Sequence, residues 1–179
     1  TIPYSTADLL ASIRPLLNLL AVQYLVVPSA IDPAGWGFDK ALTSDRVSLL
    51  SNDTALPWCY AVPAHQVVTD ENELLQMLRE GRVDLRSTVL LEQEPPNTAS
   101  SPSLDAQVEL LERNAHDGVF RFRVKSTQPS WLVLSENFYP DWRARIDGEP
   151  TQIHRANYIW QAVQVDAGEH VVEFRFESA

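Results

Sequence analysis

Residues 137–150 read NFYPDWRARIDGEP and indicate a β-rich fold. Pro140 fixes a corner in the backbone just before Trp142, and an alternating segment typical of a strand follows. Asp147 and Gly148 then supply the positive φ angles that a tight hairpin turn requires. The stretch therefore predicts a corner, a strand and a hairpin turn that starts a second strand.

Segments with the same two-residue period surround this stretch. Residues 119–126 place Phe120, Phe122 and Val124 on one face of a strand and three basic residues on the other. Residues 131–136 are mostly apolar, which favours a central strand. Further strands are predicted at 107–113, 143–146, 151–154, 158–165 and 170–176, with 143–146 pairing with 151–154, and 158–165 pairing with 170–176 across a turn at 166–168. These short strands without a helical pattern predict an antiparallel sandwich, jelly-roll or immunoglobulin-like.

The first half of the chain has a different pattern, in which helices and short strands alternate. Apolar residues recur at helical spacing from residue 9 to residue 20, after a cap at Ser5 or Thr6. A second helix is predicted to be capped by Thr69 or Asp70 and to end at Gly81. Short strands are predicted at 24–27, 47–50, 58–62 and 87–92, and the prolines that bracket 58–62 favour an edge position for that strand.

The composition of residues 95–104 marks a boundary between these two patterns. The segment is rich in Pro, Ser, Thr and Asn, which is typical of an exposed linker. The sequence therefore predicts an α+β chain, with a small N-terminal α/β region at 1–94, a linker at 95–104 and an antiparallel β-sandwich at 105–179.

Charge and cysteine content exclude several classes of function. The net charge of −10, with basic residues scattered along the 179 residues, argues against binding to a nucleic acid backbone. Cys59 is the only cysteine, so neither an intrachain disulfide nor a four-thiolate zinc site is possible. The histidines lack metal-ligand spacing, and no glycine-rich phosphate loop is present. The sequence predicts no metal site and no cofactor.

The chain is expected to be a piece of a longer protein. It begins at Thr1 without a methionine and has no signal-peptide pattern. The apolar stretch 9–27 is interrupted by Arg14, Pro15, Asn18 and Gln23, which are costly in hydrocarbon. We therefore expect a soluble helix followed by a strand there, with no transmembrane segment.

Aromatic residues near the C-terminus allow two interpretations. Trp131, Trp142, Trp160, Tyr139 and Tyr158 could stack on sugar rings, but large aromatic side chains usually bury most of their surface. Strand alternation favours the core for Tyr158 and Trp160. Trp142 follows the Pro140 corner, where it could close one end of the sandwich or contact a ligand.

The basic residues of the predicted sandwich also allow two interpretations. Arg121, Arg123 and Lys125, with Arg143 and Arg145, are expected to form a solvated sheet face paired with the glutamates at 173 and 177. Alternatively, they could contact anionic lipid head groups or a sugar phosphate.

Acidic residues and histidines in this half are assigned structural roles. A glycosidase would need two carboxylates that face each other across a cleft. Asp141, Asp147, Glu149 and Asp166 all lie in predicted turns, where carboxylates are mostly solvated, so no catalytic residue is predicted. One ring nitrogen of His170 is expected to bond to the adjacent loop backbone.

The segments 132–142, 146–148, 157–158 and 167–174 resemble, in order and spacing, the C-terminal region of the YfhO family of bacterial membrane proteins. Residues 16–27 are similar to the segment that leads into that family's soluble domain. The resemblance implies a polytopic parent of the glycosyltransferase C type, which moves sugars from a polyprenyl-phosphate donor onto cell-envelope polymers such as teichoic acids. Its catalytic carboxylates are expected in the N-terminal part, outside this chain.

The expected function is that of a non-catalytic, soluble extracytoplasmic domain of such a membrane protein, with an accessory role in glycosylation of envelope polysaccharide or teichoic acid. Its expected partners are the parent's transmembrane region and an envelope glycan or lipid-linked sugar. The candidate ligand-binding residues are Trp36, Tyr139, Trp142, Arg143 and Arg145.

Two alternative functions are kept. The first is a protein-interaction β-sandwich in the cell envelope, acting through an exposed aromatic loop at 34–38 that contains Trp36. The second is an independent glycoside hydrolase.

Overall fold

A computed structural model describes residues 6–31, 36–96 and 105–177. The chain divides into two compact units, one made of Thr1–Pro57 and Gln76–Arg82 and the other of Trp58–Leu75 and Val83–Ala179. Helix α1 spans Thr6–Leu19 and helix α2 spans Glu71–Glu80. Among the described residues, no helix has the length and apolar character needed to cross a bilayer. The predicted cap at Ser5 lies outside the described residues.

The strands of the described residues form three sheets. Their bounds are β1 (Tyr24–Pro28), β2 (Asp39–Thr43), β3 (Val47–Ser51), β4 (Cys59–Val62), β5 (Ala64–Val67), β6 (Thr88–Leu91), β7 (Ala106–Asn114), β8 (Val119–Ser126), β9 (Ser130–Leu134), β10 (Trp142–Ile146), β11 (Glu149–Thr151), β12 (His154–Ala156), β13 (Trp160–Val165) and β14 (Gly168–Phe176). The sheet orders are β1-β3-β2, β11-β10-β14-β8-β7 and β4-β9-β13-β12-β6-β5. The pairs are antiparallel except for β5 and β6, which run parallel.

The first unit contains α1 and the three-stranded sheet. Its core is formed by Trp36, Phe38 and Leu50, and Leu17 of α1 packs against this cluster. Trp36 is only 3% exposed. The prediction that Trp36 forms an exposed contact loop is therefore wrong, because its indole is used to fill the core of this unit.

The second unit contains a β-sandwich made of the five-stranded and six-stranded sheets. Phe122 and Phe174 of the five-stranded sheet share one buried cluster with Leu132, Leu134 and Val163 of the six-stranded sheet. Both faces of β9 are buried, as the apolar run at 131–136 predicted. The predicted α+β class, with an antiparallel sandwich and a smaller N-terminal region, is confirmed.

Local signals placed α2 and the edge strand correctly. The Asp70 carboxylate accepts a hydrogen bond from the backbone N–H of Glu73 at 2.8 Å, which is an N-cap, and Gly81 follows the helix with a φ of 63°. Strand β4 lies at the edge of the six-stranded sheet, where its flanking prolines placed it.

One predicted hairpin is wrong and another is shorter than predicted, because the chain passes between sheets where the sequence shows only a turn or a continuous strand. Strand β13 pairs with β9 and β12, whereas β14 pairs with β8 and β10. Residues 166–167 therefore connect the two sheets. The predicted hairpin across Asp147-Gly148 is present, since β11 pairs with β10, but it ends at Thr151. His154 belongs to β12, which pairs with β13 in the other sheet.

The predicted division at 95–104 does not separate two folding units. Strands β4 and β6 precede that segment, yet they pair with β9 and β12 in the six-stranded sheet. The compact units divide near Pro57 instead, because three of the six strands in the six-stranded sheet, β4, β5 and β6, are built from residues that the sequence assigned to the N-terminal region. Residues 97–104 of the predicted linker lie outside the described residues.

Candidate functional site

The segment that connects β9 to β10 forms the corner that Pro140 predicts. It carries the chain from the six-stranded sheet to the five-stranded sheet. The N–H of Phe138 donates to the carbonyl of Ile159 at 2.8 Å, and the N–H of Trp142 donates to the carbonyl of Tyr139 at 3.1 Å. Hydrogen bonds at both ends therefore hold the corner in place.

A groove of about 420 Å³ opens beside this corner, along the edge strand β11. We call it the corner groove. Its lining includes Tyr139, Pro140, Trp142, Arg143, Arg145 and Glu177, together with Pro150, Thr151 and Ile153. This volume lies in the range of small-molecule sites. Four of the five candidate ligand-binding residues, Tyr139, Trp142, Arg143 and Arg145, are thus brought together, whereas Trp36 is buried in the other unit.

The two aromatic residues of the corner groove differ in burial. Trp142 stacks on Phe120 with ring centroids 5.7 Å apart and meets Phe176 edge-on at 5.4 Å, so its indole is anchored in the core. Tyr139 is 54% exposed. Trp142 therefore closes the end of the sandwich and also forms part of the groove wall, while Tyr139 offers its ring to solvent.

Backbone carbonyl groups orient both arginines. Nη1 of Arg143 donates to the carbonyl oxygens of Pro140 at 2.7 Å and Trp142 at 2.9 Å, and its Nε lies 3.9 Å from a carboxylate oxygen of Glu177. Nη1 of Arg145 donates to the carbonyl of Gly148 at 2.9 Å. A guanidinium carries five N–H donors, so both side chains keep donors for a ligand.

Ion pairing distinguishes Arg145 from the other arginines of the basic sheet face. Arg121 lies 2.6 Å from Glu173 and 2.9 Å from Glu112, and Arg123 lies 2.6 Å from Glu109. The predicted pairing of this face with Glu173 and Glu177 is confirmed for Arg121 and Arg143 respectively. Within the described ranges, Arg145 has no carboxylate partner. Arg145 therefore brings a positive charge without a carboxylate partner in the described residues to the corner groove.

The side chains of the corner groove are suited to binding an anionic ligand. Arginine pairs bind carboxylate and phosphate groups through charge-assisted hydrogen bonds, and an exposed aromatic ring can pack on an apolar ring face. Among the described residues, Glu177 is the one carboxylate in its lining, whereas glycoside hydrolysis normally uses two. A ring-shaped ligand with an anionic group fits this set of side chains.

The remaining aromatic candidates are mainly structural. Trp131 is fully buried and Trp160 is buried, as strand alternation predicted for Trp160. Tyr158 is partly buried and lies outside β13 in a left-handed conformation with a φ of 76°. Arg155 lies over its ring at 5.1 Å.

The carboxylates that the sequence placed in turns have separate environments. Asp147 accepts hydrogen bonds from the backbone of Val171 and from His170. Glu149 and Asp166 line a second groove. Nε2 of His170 lies 3.4 Å from the carbonyl of Ala167, which confirms the predicted bond to the loop backbone. Among the described residues, no group of three His, Cys, Asp or Glu side chains is placed to hold a metal ion.

Sequence reasoning missed the part of the groove that follows the hairpin turn. Pro150, Thr151 and Ile153 line the corner groove because the chain leaves β11 for the other sheet immediately after Thr151. The one available signal is Pro150, which is tolerated in a strand mainly at a sheet edge.

Comparison with protein-family models, with curated proteins and with solved structures found no match to this chain.

Proposed function

We propose that this chain is a non-catalytic extracytoplasmic domain that recognises an anionic glycan through the corner groove. One observation carries this proposal: Tyr139, Arg143 and Arg145 converge on one groove, and both guanidinium groups are oriented by backbone carbonyls. A pyranose bearing a carboxylate or phosphate would place its ring against Tyr139 and its charge between the arginines. Recognition of such a unit would serve acceptor binding during envelope glycosylation.

The wider setting of this proposal comes from the resemblance to the YfhO family. On that reading, the domain is part of a polytopic membrane glycosyltransferase that acts on envelope polysaccharide or teichoic acid. Its partners are then the parent's transmembrane region and a glycan or lipid-linked sugar at the outer face of the membrane. The gene sequence that encodes the residues before Thr1 tests this setting, which requires several hydrophobic spans there.

Titration of the ¹⁵N-labelled chain with glucose 1-phosphate and glucuronic acid tests the proposed recognition. We expect chemical-shift changes at the Tyr139 corner and at the side-chain Nε of Arg143 and Arg145. Arg145→Ala should weaken binding by about tenfold, the loss expected for one charge-assisted contact. Arg123→Ala is the matched control, because Arg123 lies on the same sheet but is already paired with Glu109 and Glu169.

Two results would contradict recognition at this groove. One is the absence of any shift at the corner with either anionic sugar at millimolar concentration. The other is an equal loss of binding in Arg145→Ala and Arg123→Ala, since that would reflect the general charge of the sheet face. In either case the domain would keep only an architectural role.

Glycoside hydrolysis is the second candidate function, and one observation favours testing it: Glu149 and Asp166 both line a second groove, distinct from the corner groove. Hydrolysis of an envelope polysaccharide would release new reducing ends, and Asp166→Asn would abolish that release. We expect no release with either protein. Release by the unchanged chain and not by Asp166→Asn would replace the non-catalytic assignment with a hydrolase.

A further inference from the structure

A second groove of about 400 Å³ is lined in part by the segment that leaves β11. We call it the polar groove, and its polar lining consists of Glu149, Gln152, His154, Gln164, Asp166 and His170. Pro150 and Thr151 line both this groove and the corner groove. A ligand longer than one sugar unit could therefore contact both grooves by passing over these two residues.

His154 is the most buried polar side chain of the polar groove. It is 8% exposed, and its ring lies edge-on to the indole of Trp131 with centroids 5.2 Å apart. No hydrogen bond joins its imidazole to any described residue. Burial lowers the pKa of His154, and the nearby His65 lowers it further, so the ring is neutral near pH 7. A neutral imidazole has one donor and one acceptor nitrogen, which matches a hydroxyl group.

The two glutamines of the polar groove add amide groups beside this ring. In the register of β12 and β13, His154 lies opposite Ala162, and Gln164 is two residues further along the same face. The side chains of Gln152 and Gln164 make no hydrogen bond with the described part of the chain. Each amide has N–H donors and one oxygen acceptor. The groove therefore offers unpaired donors and acceptors from Gln164 on β13 and from Gln152 just after β11.

The carboxylates of the polar groove decide the charge of its ligand. Glu149 and Asp166 line the groove, and neither forms an ion pair with a described residue. Carboxylate oxygens accept hydrogen bonds from vicinal hydroxyl groups, but they repel phosphate and carboxylate groups. The polar groove therefore favours an uncharged, hydroxyl-rich ligand, in contrast to the corner groove with its two arginines.

We infer that the polar groove binds a neutral sugar residue next to the anionic unit held in the corner groove, so that the ligand is an oligosaccharide of unlike units. This inference rests on the proposed function, because the corner groove supplies the neighbouring unit. In this arrangement, His154 and Gln164 bind hydroxyl groups of the neutral sugar. Glu149 and Asp166 accept hydrogen bonds from its vicinal hydroxyl groups.

Titration of the full chain with glucose, galactose and N-acetylglucosamine tests the polar groove alone. We expect these neutral sugars to shift the His154 ring and the Gln164 side-chain amide while leaving the Arg145 Nε signal in place. Gln164→Ala should weaken neutral-sugar binding about tenfold. Gln107→Ala is the control, because Gln107 lies on β7, at the opposite edge of the five-stranded sheet from β11. Gln152→Ala, at an exposed position, repeats the test if Gln164→Ala does not fold.

The outcomes separate this inference from the proposed function. If the anionic sugars shift the corner groove but no neutral sugar shifts the polar groove, the neutral subsite is overturned and the proposed function stands. If neutral sugars bind and both glutamine variants bind them as well as Gln107→Ala does, the subsite is likewise overturned. Anionic sugars that leave Arg143 and Arg145 unchanged overturn the proposed function itself.

Discussion

Nδ1 of His170 lies 2.7 Å from Oδ2 of Asp147, and the other carboxylate oxygen of Asp147 accepts the N–H of Val171 at 2.8 Å. The backbone N–H of Asp147 in turn donates to the carbonyl of Val171 at 2.8 Å. These contacts fasten the β10–β11 hairpin turn to β14, the neighbouring strand. Asp147 thus forms part of the turn and also joins the turn to the sheet.

This pair makes stability depend on pH. The hydrogen bond to Asp147 raises the pKa of His170, so the contribution of His170 is present below its unfolded pKa of about 6.5 and is lost as the pH rises through the raised folded value. Hydrogen bonds from Val171 and His170 lower the pKa of Asp147, so its contribution is present above about pH 4 and is lost as the pH falls through the lowered value.

His170→Gln should therefore destabilise the chain more at about pH 5.5 than at about pH 9, by roughly 0.5 kcal/mol for a pair as exposed as this one. Urea unfolding at the two pH values measures the difference. His116→Gln is the control, since His116 is exposed and its ring makes no hydrogen bond with a described residue. An equal loss of unfolding free energy in His170→Gln at both pH values would show that folding does not shift the pKa values of this pair.

Two glycine turns allow a matched test of backbone strain against packing. Gly118 and Gly148 have φ angles of 60° and 90°. A Cβ at Gly118 would lie 2.7 Å from Cβ of Phe176, whereas a Cβ at Gly148 meets no atom within 4 Å. Gly148→Ala should cost about 1 to 2 kcal/mol through strain alone, and Gly118→Ala about 2 to 4 kcal/mol because the clash adds to strain. Thermal unfolding of both variants measures the two costs. A larger loss of stability in Gly148→Ala than in Gly118→Ala would refute the prediction.

Asn157 is a buried link between strands of the six-stranded sheet. Its side-chain oxygen accepts the N–H of Leu90 at 2.9 Å, and its amide donates to the hydroxyl of Tyr60 at 3.2 Å. Asn157→Ala removes the partner of the Leu90 N–H and of the Tyr60 hydroxyl, and it should lower the free energy of unfolding in urea by about 2 to 4 kcal/mol. Tyr60→Phe leaves only the amide unpaired and should cost about 1 to 2 kcal/mol. A smaller cost for Asn157→Ala than for Tyr60→Phe would contradict this role.

Substitution of a candidate ligand-binding residue should change the free energy of unfolding much less than substitution of a core residue. Tyr139 is exposed in the corner groove, so Tyr139→Ala should change the free energy of unfolding by less than about 0.5 kcal/mol. Phe122 is 1% exposed and packs against Phe174, so Phe122→Ala should cost about 3 to 5 kcal/mol. Chemical denaturation of both variants checks this, and a large loss in Tyr139→Ala would assign Tyr139 a structural role.

Part of the candidate site follows from local sequence signals. The Pro140 corner and the two-residue period that sets Arg143 and Arg145 on one strand face could be predicted, because each depends on backbone geometry within a few residues. Trp36 was misassigned because an aromatic residue among glycines has the same local pattern whether it is exposed or buried. The polar groove was missed because its residues come from separate strands and turns.

The sequence by itself determined the local elements: the start of α2 after Thr69 or Asp70, the helix end at Gly81, the hairpin turn at Asp147 and the alternation of β8. These depend on dihedral preferences and side-chain period, which are properties of short segments. Only the tertiary structure decided which sheet receives each strand, so that His154 and Gln164 share a face and Glu149 joins them at one groove. Such pairing is set by burial of apolar faces between residues far apart in the chain, and a turn has the same local signal whether it closes a hairpin or connects two sheets.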